Sequence, residues 1–210
     1  ILNDDTERLN LEASYWLDVS FIEKIGRMAP NLLELSFRRM PHISNPNFAE
    51  VFKYLKSLQV VDLSDCKNLY PTALQLMLRN NQATLQKIQL YNDTNAVDDT
   101  ALRLISGCPN LSFLDVSFAK QITDAGLVHF SDKALPIDTL VVSGCTGMSS
   151  AGMTALLNCC TQTLVDFEMQ YLDQETMKGD MFLKLGYAWQ LEFLDIAGCP
   201  FVDDMAMQNL

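Results

Sequence analysis

The sequence predicts an α/β solenoid, a curved horseshoe with parallel strands on its concave face and helices on its convex face. Three observations lead there. An aliphatic spacing L-x-x-L-x-L, with Val, Ile, Met or Phe accepted, recurs every 26–27 residues; each recurrence is followed by a turn and a polar residue suited to start a helix; and the stretch after that residue carries apolar side chains three and four apart. One such unit cannot bury its apolar face alone, so neighbouring units must stack.

The units begin at Leu32 (with Leu35, Phe37), Leu58 (Val61, Leu63), Leu85 (Ile88, Leu90), Leu111 (Leu114, Val116), Ile137 (Leu140, Val142), Leu164 (Phe167, Met169) and Leu191 (Leu194, Ile196). Successive starts differ by 26, 27, 26, 26, 27 and 27 residues, and Leu9 and Leu11 extend the ladder one step back, giving seven to eight repeats in a single solenoid over residues 1–210. Alternation within each strand places the x positions, and with them Ser64, Ser117 and Ser143, on the concave face. Eight residues after each start stands Met40, Cys66, Asp93, Ala119, Cys145, Leu172 or Cys199, and an aliphatic such as Ile43, Leu69, Val97, Ile122, Met148 or Val202 follows. Ser44, Asp98, Thr123, Ser149 and Asp203 then offer oxygens to the free N–H groups of a first helical turn, and Pro71 suits a first helical position. Ala101, Leu102 and Ile105, like Leu127, Val128 and Phe130, mark the inward helix face. Asp93 and Leu172 replace a small or thiol residue, so the turns after Leu90 and Met169 are expected to be irregular, and 174–185 lacks the usual helix start.

At 210 residues and 49% hydrophobic content the chain can build a sizeable core, which excludes disorder as its main state. A formal net charge of −11 repels phosphate backbones and anionic lipid, and no basic patch offsets it, so neither nucleic acid nor a membrane surface is an expected partner. No apolar run approaches the roughly 20 residues that cross a bilayer, and the first ten residues lack the features of a signal peptide. The expected setting is intracellular and cytoplasmic. The chain begins with Ile and stops in FVDDMAMQNL, within the first turns of an expected helix, so it reads as a piece of a longer protein whose uncapped ends meet further repeats or another subunit.

The stretch GCPNLSFLDVSFAKQITDAGLVHF, Gly107 to Phe130, resembles a leucine-rich repeat, and VVDLSDCKNL and LEFLDIAGCPFVDD resemble the cysteine-containing subfamily typical of F-box/LRR proteins, with Cys66 and Cys199 in place and Ala119 where a cysteine is expected. The resemblance covers nearly the whole chain and implies a leucine-rich-repeat solenoid. Cys66, Cys145 and Cys199 are repeat-equivalent, which reads as buried structural thiols in a reducing compartment. Cys108 precedes a strand and Cys159–Cys160 end a helix, spacings that do not suit a metal.

No nucleotide-binding, nucleophile-elbow or zincin motif is present. His42 and His129 lie near no nucleophile motif, and the pairs Asp98–Asp99 and Asp203–Asp204 fall at helix starts, where negative charge complements the dipole. The chain is therefore read as a non-enzyme without cofactor or metal. A GTPase-activating leucine-rich-repeat protein would need a catalytic arginine, for which Arg38–Arg39 is the conspicuous pair.

Function is expected on the concave strip. Asp62, Tyr91, Phe113, Asp115, Phe118, Glu168, Tyr171, Phe193 and Asp195 form a candidate protein-binding surface, in which aromatics anchor a partner and Asp115, Asp166, Glu168 and Asp195 steer a basic one. Phe113 and Phe193 either serve that partner or stack on one another as cross-strand neighbours. The resemblance implies the substrate-recognition part of an F-box/LRR ubiquitin-ligase receptor. The alternative is a scaffold subunit of a large stable assembly, such as a nexin–dynein regulatory complex-like assembly of the ciliary axoneme, which would place the chain on the cytoskeleton or in a cilium.

Overall fold

A buried aliphatic or aromatic side chain flanked on both sides by partly exposed ones is the pattern of a short strand with one face on a core, and it recurs along this chain. In the computed structural model, which describes residues 2–172 and 175–208, eight such strands form: β1 (Arg8–Asn10), β2 (Glu34–Ser36), β3 (Val60–Asp62), β4 (Lys87–Gln89), β5 (Phe113–Asp115), β6 (Thr139–Val141), β7 (Asp166–Glu168) and β8 (Phe193–Asp195). They make one parallel sheet in the order of the chain. The step back at Leu9 and Leu11 is β1, which pairs Arg8 with Glu34 and Leu9 with Leu35. Register equals sequence period, so equivalent residues stand side by side: Leu35, Val61, Ile88, Leu114, Leu140, Phe167 and Leu194 form one row.

The return segments are helical: α1 (Val19–Ile22), α2 (Ile25–Met28), α3 (Asn45–Phe52), α4 (Pro71–Asn81), α5 (Asp99–Ile105), α6 (Asp124–Leu127), α7 (Ser150–Asn158), α8 (Phe182–Leu185) and α9 (Asp204–Met207). Their starts are those the polar residues predict. The side chains of Asp98, Thr123, Ser149 and Asp203 accept from the N–H of Ala101, Ala125, Ala151 and Ala206 at 2.7, 3.2, 3.2 and 2.8 Å, and Pro71 opens α4. The residue after the cap does a second task. Asp99 accepts from the N–H and hydroxyl of Thr123, both at 2.7 Å, and Asp124 accepts from the N–H of Ser149 at 2.8 Å, so each carboxylate braces the next repeat's cap. Two returns tighten to 3₁₀ geometry, Val128–Phe130 after α6 and Gly179–Met181 before α8. The second lies in the stretch 174–185 expected to lack a helix start, of which Gln174 falls outside the described residues.

The repeat-equivalent thiols sit between turns of the solenoid. Cys66, Cys145 and Cys199 are buried and free, and each donates to the backbone carbonyl of the previous repeat's inward residue: Phe37 at 3.0 Å, Val116 at 3.2 Å and Met169 at 2.8 Å. Burial pushes the Cys145 thiol up to about 12, which keeps it a donor. Asp93 occupies this place in its own repeat with the polarity reversed. Only 2% exposed, it accepts from the Cys66 N–H at 2.9 Å through Oδ1, while Oδ2 has no partner among the described residues. Burial, reinforced by Asp65, Asp62 and Asp115, pushes its carboxyl up to about 8, although the Cys66 bond pulls the other way.

The third residue after every strand has a left-handed backbone: Ala13, Arg39, Asp65, Asn92, Phe118, Gly144, Tyr171 and Gly198, with φ between 54° and 68°. The cause is the ladder. In this conformation the N–H of Arg39, Asp65, Asn92, Phe118, Gly144 and Tyr171 reaches a carbonyl of the following repeat, at 2.8–3.0 Å. At Gly144 the absence of a side chain does more, because a Cβ there would lie 2.5 Å from the Phe118 ring.

These features give two expected outcomes. A carboxyl raised from an ordinary 3.8 to about 8 holds its proton more tightly folded than unfolded, so its contribution to stability is complete below about pH 4 and is lost as pH rises through about 8. Asp93→Asn, which keeps the Cys66 bond, should gain stability over the parent chain by an amount that grows between pH 5 and 8 and reaches on the order of a few kcal/mol, measured by urea unfolding. A gain that does not change with pH would refute a protonated Asp93. Gly144→Ala should cost about 1–3 kcal/mol, and this loss should shrink in a Phe118→Ala background, where the steric part is gone.

Candidate functional site

The strand residues that point away from the helices form rows across the sheet. The first row runs Arg8, Glu34, Val60, Lys87, Phe113, Thr139, Asp166, Phe193, and the second Asn10, Ser36, Asp62, Gln89, Asp115, Val141, Glu168, Asp195. These side chains stay partly or fully exposed, so the sheet has an open face. The row two residues further on differs from its expectation. Ser64, Ser117 and Ser143 are buried, because the next repeat covers them: the Ser64 and Ser143 hydroxyls accept from the N–H of Tyr91 and Gln170 at 3.3 and 3.0 Å.

The candidate aromatics divide into pairs and singles. Tyr91 meets Phe118 edge-on with ring centroids 5.4 Å apart, and Lys87 Nζ lies 4.1 Å from the centre of the Phe113 ring. Phe113 and Phe193 do not stack on one another: Thr139 and Asp166 stand between them in the row, three strand spacings apart. Tyr171 is 59% exposed and rests its ring on Gly198, and Phe193 is 48% exposed. The left-handed row is the feature that sequence reading missed, although Gly144 and Gly198, each directly before a repeat cysteine, were its visible signal. Phe118 and Tyr171 are bulky residues held in a conformation such residues rarely adopt.

Charge is distributed unevenly over the open face. On β1 to β4 and their turns, Arg8 pairs with Glu34 at 3.0 Å, Arg38 with Glu12 at 3.6 Å and Asp62 at 3.9 Å, and Arg39 with Glu12 at 3.5 Å and Asp65 at 3.9 Å. Asp62 also accepts from the Ser64 N–H at 3.0 Å. Arg38 and Arg39 are thus held in ion pairs. Across β5 to β8 no basic side chain forms an ion pair with Asp115, Asp166, Glu168 or Asp195 among the described residues. Burial, then Asp195, Asp115 and Asp166, raise the Glu168 carboxyl above its usual range. Burial, with Asp62, also raises Asp115, against hydrogen bonds from Ser117 and the charge of Arg38. Asp195 accepts from the Ala197 N–H at 3.0 Å and from the Gln170 side chain.

The other singled-out residues lie elsewhere. His129 is exposed on the 3₁₀ turn after α6, His42 packs edge-on near Tyr15, and Cys108, Cys159 and Cys160 are buried. Among the described residues no three His, Cys, Asp or Glu side chains gather as a metal site, and no helix is long and apolar enough to cross a membrane.

Comparison with known proteins gives the architecture its name. The sequence profile of the Leucine Rich repeat family matches residues 107–131. A chain of the Rad7 and Elc1 complex in yeast superposes with a TM-score of 0.52 at 15% identity, covering 96% of this chain and 65% of that one. An internalin (inlF) from Listeria monocytogenes superposes with a TM-score of 0.54 at 16% identity, covering 92% of this chain and 48% of its own. This chain therefore spans less than two thirds of the length of either. Its parallel ladder, its repeat period and these likenesses make its fold a leucine-rich-repeat α/β solenoid.

Proposed function

We propose that this chain is a non-catalytic protein-interaction module that binds through the open face of its sheet, as the substrate-recognition region of an F-box/LRR-type ubiquitin-ligase receptor in the cytoplasm. The observation that carries the interaction reading is the face itself: Tyr171, 59% exposed, and Phe193, 48% exposed, stand beside Asp166, Glu168 and Asp195, which form no ion pair among the described residues. Exposed aromatics on a rigid sheet lose little freedom when a partner covers them. The receptor reading is supported by Cys66, Cys145 and Cys199 at one repeat position, which resembles the F-box-associated subfamily, and is compatible with the likeness to a chain of the Rad7 and Elc1 complex.

The alternative reading is a scaffold role in a stable assembly of the axonemal kind, in which the open face would be an assembly interface.

Affinity purification of the full-length protein from its own cells, followed by mass spectrometry, separates the two. A cullin adaptor recovered with varying substrates supports the receptor, and a fixed stoichiometric set of structural subunits supports the scaffold. In either case the double variant Tyr171→Ala/Phe193→Ala, with unchanged thermal unfolding, should weaken capture of the face's partner by at least about tenfold. Undiminished capture would overturn the open face as the binding surface.

A further inference from the structure

Building on the open face as the interaction surface, we infer that its occupant is an extended lysine- or arginine-rich segment and that it binds across β5 to β8 only. The two halves of the face differ in what they already hold. On β1 to β4, Glu12, Glu34, Asp62 and Asp65 are matched by Arg8, Arg38, Arg39 and Lys87, four of each sign. The arginines there are spent on those carboxylates, and Lys87 covers the Phe113 ring from the β4 side. From β5 onward the outward rows and the left-handed turns carry no cation at all, and four carboxylates remain.

Two of them face each other. Glu168 and Asp195 are direct neighbours in the β7–β8 ladder, with Asp166 two residues before Glu168 on the same strand face. Like charges directly opposite in a sheet destabilise it, so the chain carries an electrostatic cost that a cation laid between them would relieve. Phe193 lies in the same row as Asp166, and Tyr171 is the third residue after Glu168, so aromatic faces flank the carboxylates. Such rings receive lysine and arginine heads, as Phe113 already receives Lys87 at 4.1 Å. From β5 to β8 is three strand spacings, roughly 14 Å, a distance covered by four to five extended residues. The occupant is thus a short basic segment crossing the strands, with its charges over Glu168 and Asp195 and its stems against Phe193 and Tyr171.

The test uses fluorescein-labelled nona-arginine as probe and fluorescence anisotropy at about 150 mM salt, where long-range attraction to the net charge is screened. Two variants remove the same number of charges: Asp166→Asn/Glu168→Gln/Asp195→Asn on the face, and Asp4→Asn/Asp5→Asn/Asp132→Asn, which are exposed and off it. The face variant should weaken binding by at least about tenfold and the control by less than about twofold. Because the face variant removes repulsion, its thermal unfolding should be unchanged or raised, which separates lost binding from lost folding. Equal weakening by both variants, or none by either, overturns the basic segment. If in that event Tyr171→Ala/Phe193→Ala still weakens capture of the cellular partner, the open face stands and only the chemistry of its occupant is wrong; if capture is undiminished, the open face falls as the binding surface together with its basic occupant.

Discussion

The structure depends on a parallel ladder only three residues wide, in which register and repeat period coincide. Three residues cannot make a stable strand by themselves; what stabilises each is that its inward residue lies beside the equivalent residue of the next repeat, and that the amide three positions on turns left-handed to reach one more carbonyl across the gap. The helices add a second set of cross-links through Asp99 and Asp124, and the buried thiols a third. The strands' backbone polar groups are thus satisfied between repeats, so each turn is stable only through its neighbours.

The same coincidence of register governs the electrostatics. A side chain on the open face meets its repeat-equivalents as cross-strand neighbours, so charge at one position is compared directly with charge at the same position in the next unit. In the first three strands and their turns that comparison yields the pairs Arg8–Glu34, Glu12–Arg38 and Arg39–Asp65, and in the last it sets Glu168 against Asp195. Inside the turns, Asp93 stands where three other repeats carry a thiol, and burial together with Asp65, Asp62 and Asp115 pushes its carboxyl up to about 8.

How much was legible in the sequence varied with the range of the interaction. Strand positions and helix starts were readable because they rest on residues a few positions apart: Ser149 caps α7 with its own side chain, and Leu114 is inward because of its spacing from Leu111 and Val116. The serines of the outer row were misread as exposed because alternation sees one strand, whereas the cover over Ser64 and Ser143 comes from the adjacent repeat. Phe113 and Phe193 looked like neighbours because both occupy one repeat position, yet three strand spacings separate them. The candidate carboxylates and aromatics were legible as a list, but Asp62 could not be told from Asp195 until Arg38 was seen beside one and no cation beside the other.

By itself the sequence determined the periodic architecture, since a phase of 26–27 residues held over seven units leaves one way to stack them. It also determined which face of each strand is inward. The tertiary structure alone decided which acids are neutralised, which aromatics are paired, and where the backbone turns left-handed. Those properties arise between groups 24–27 residues apart that only stacking brings into contact, so no local spacing encodes them.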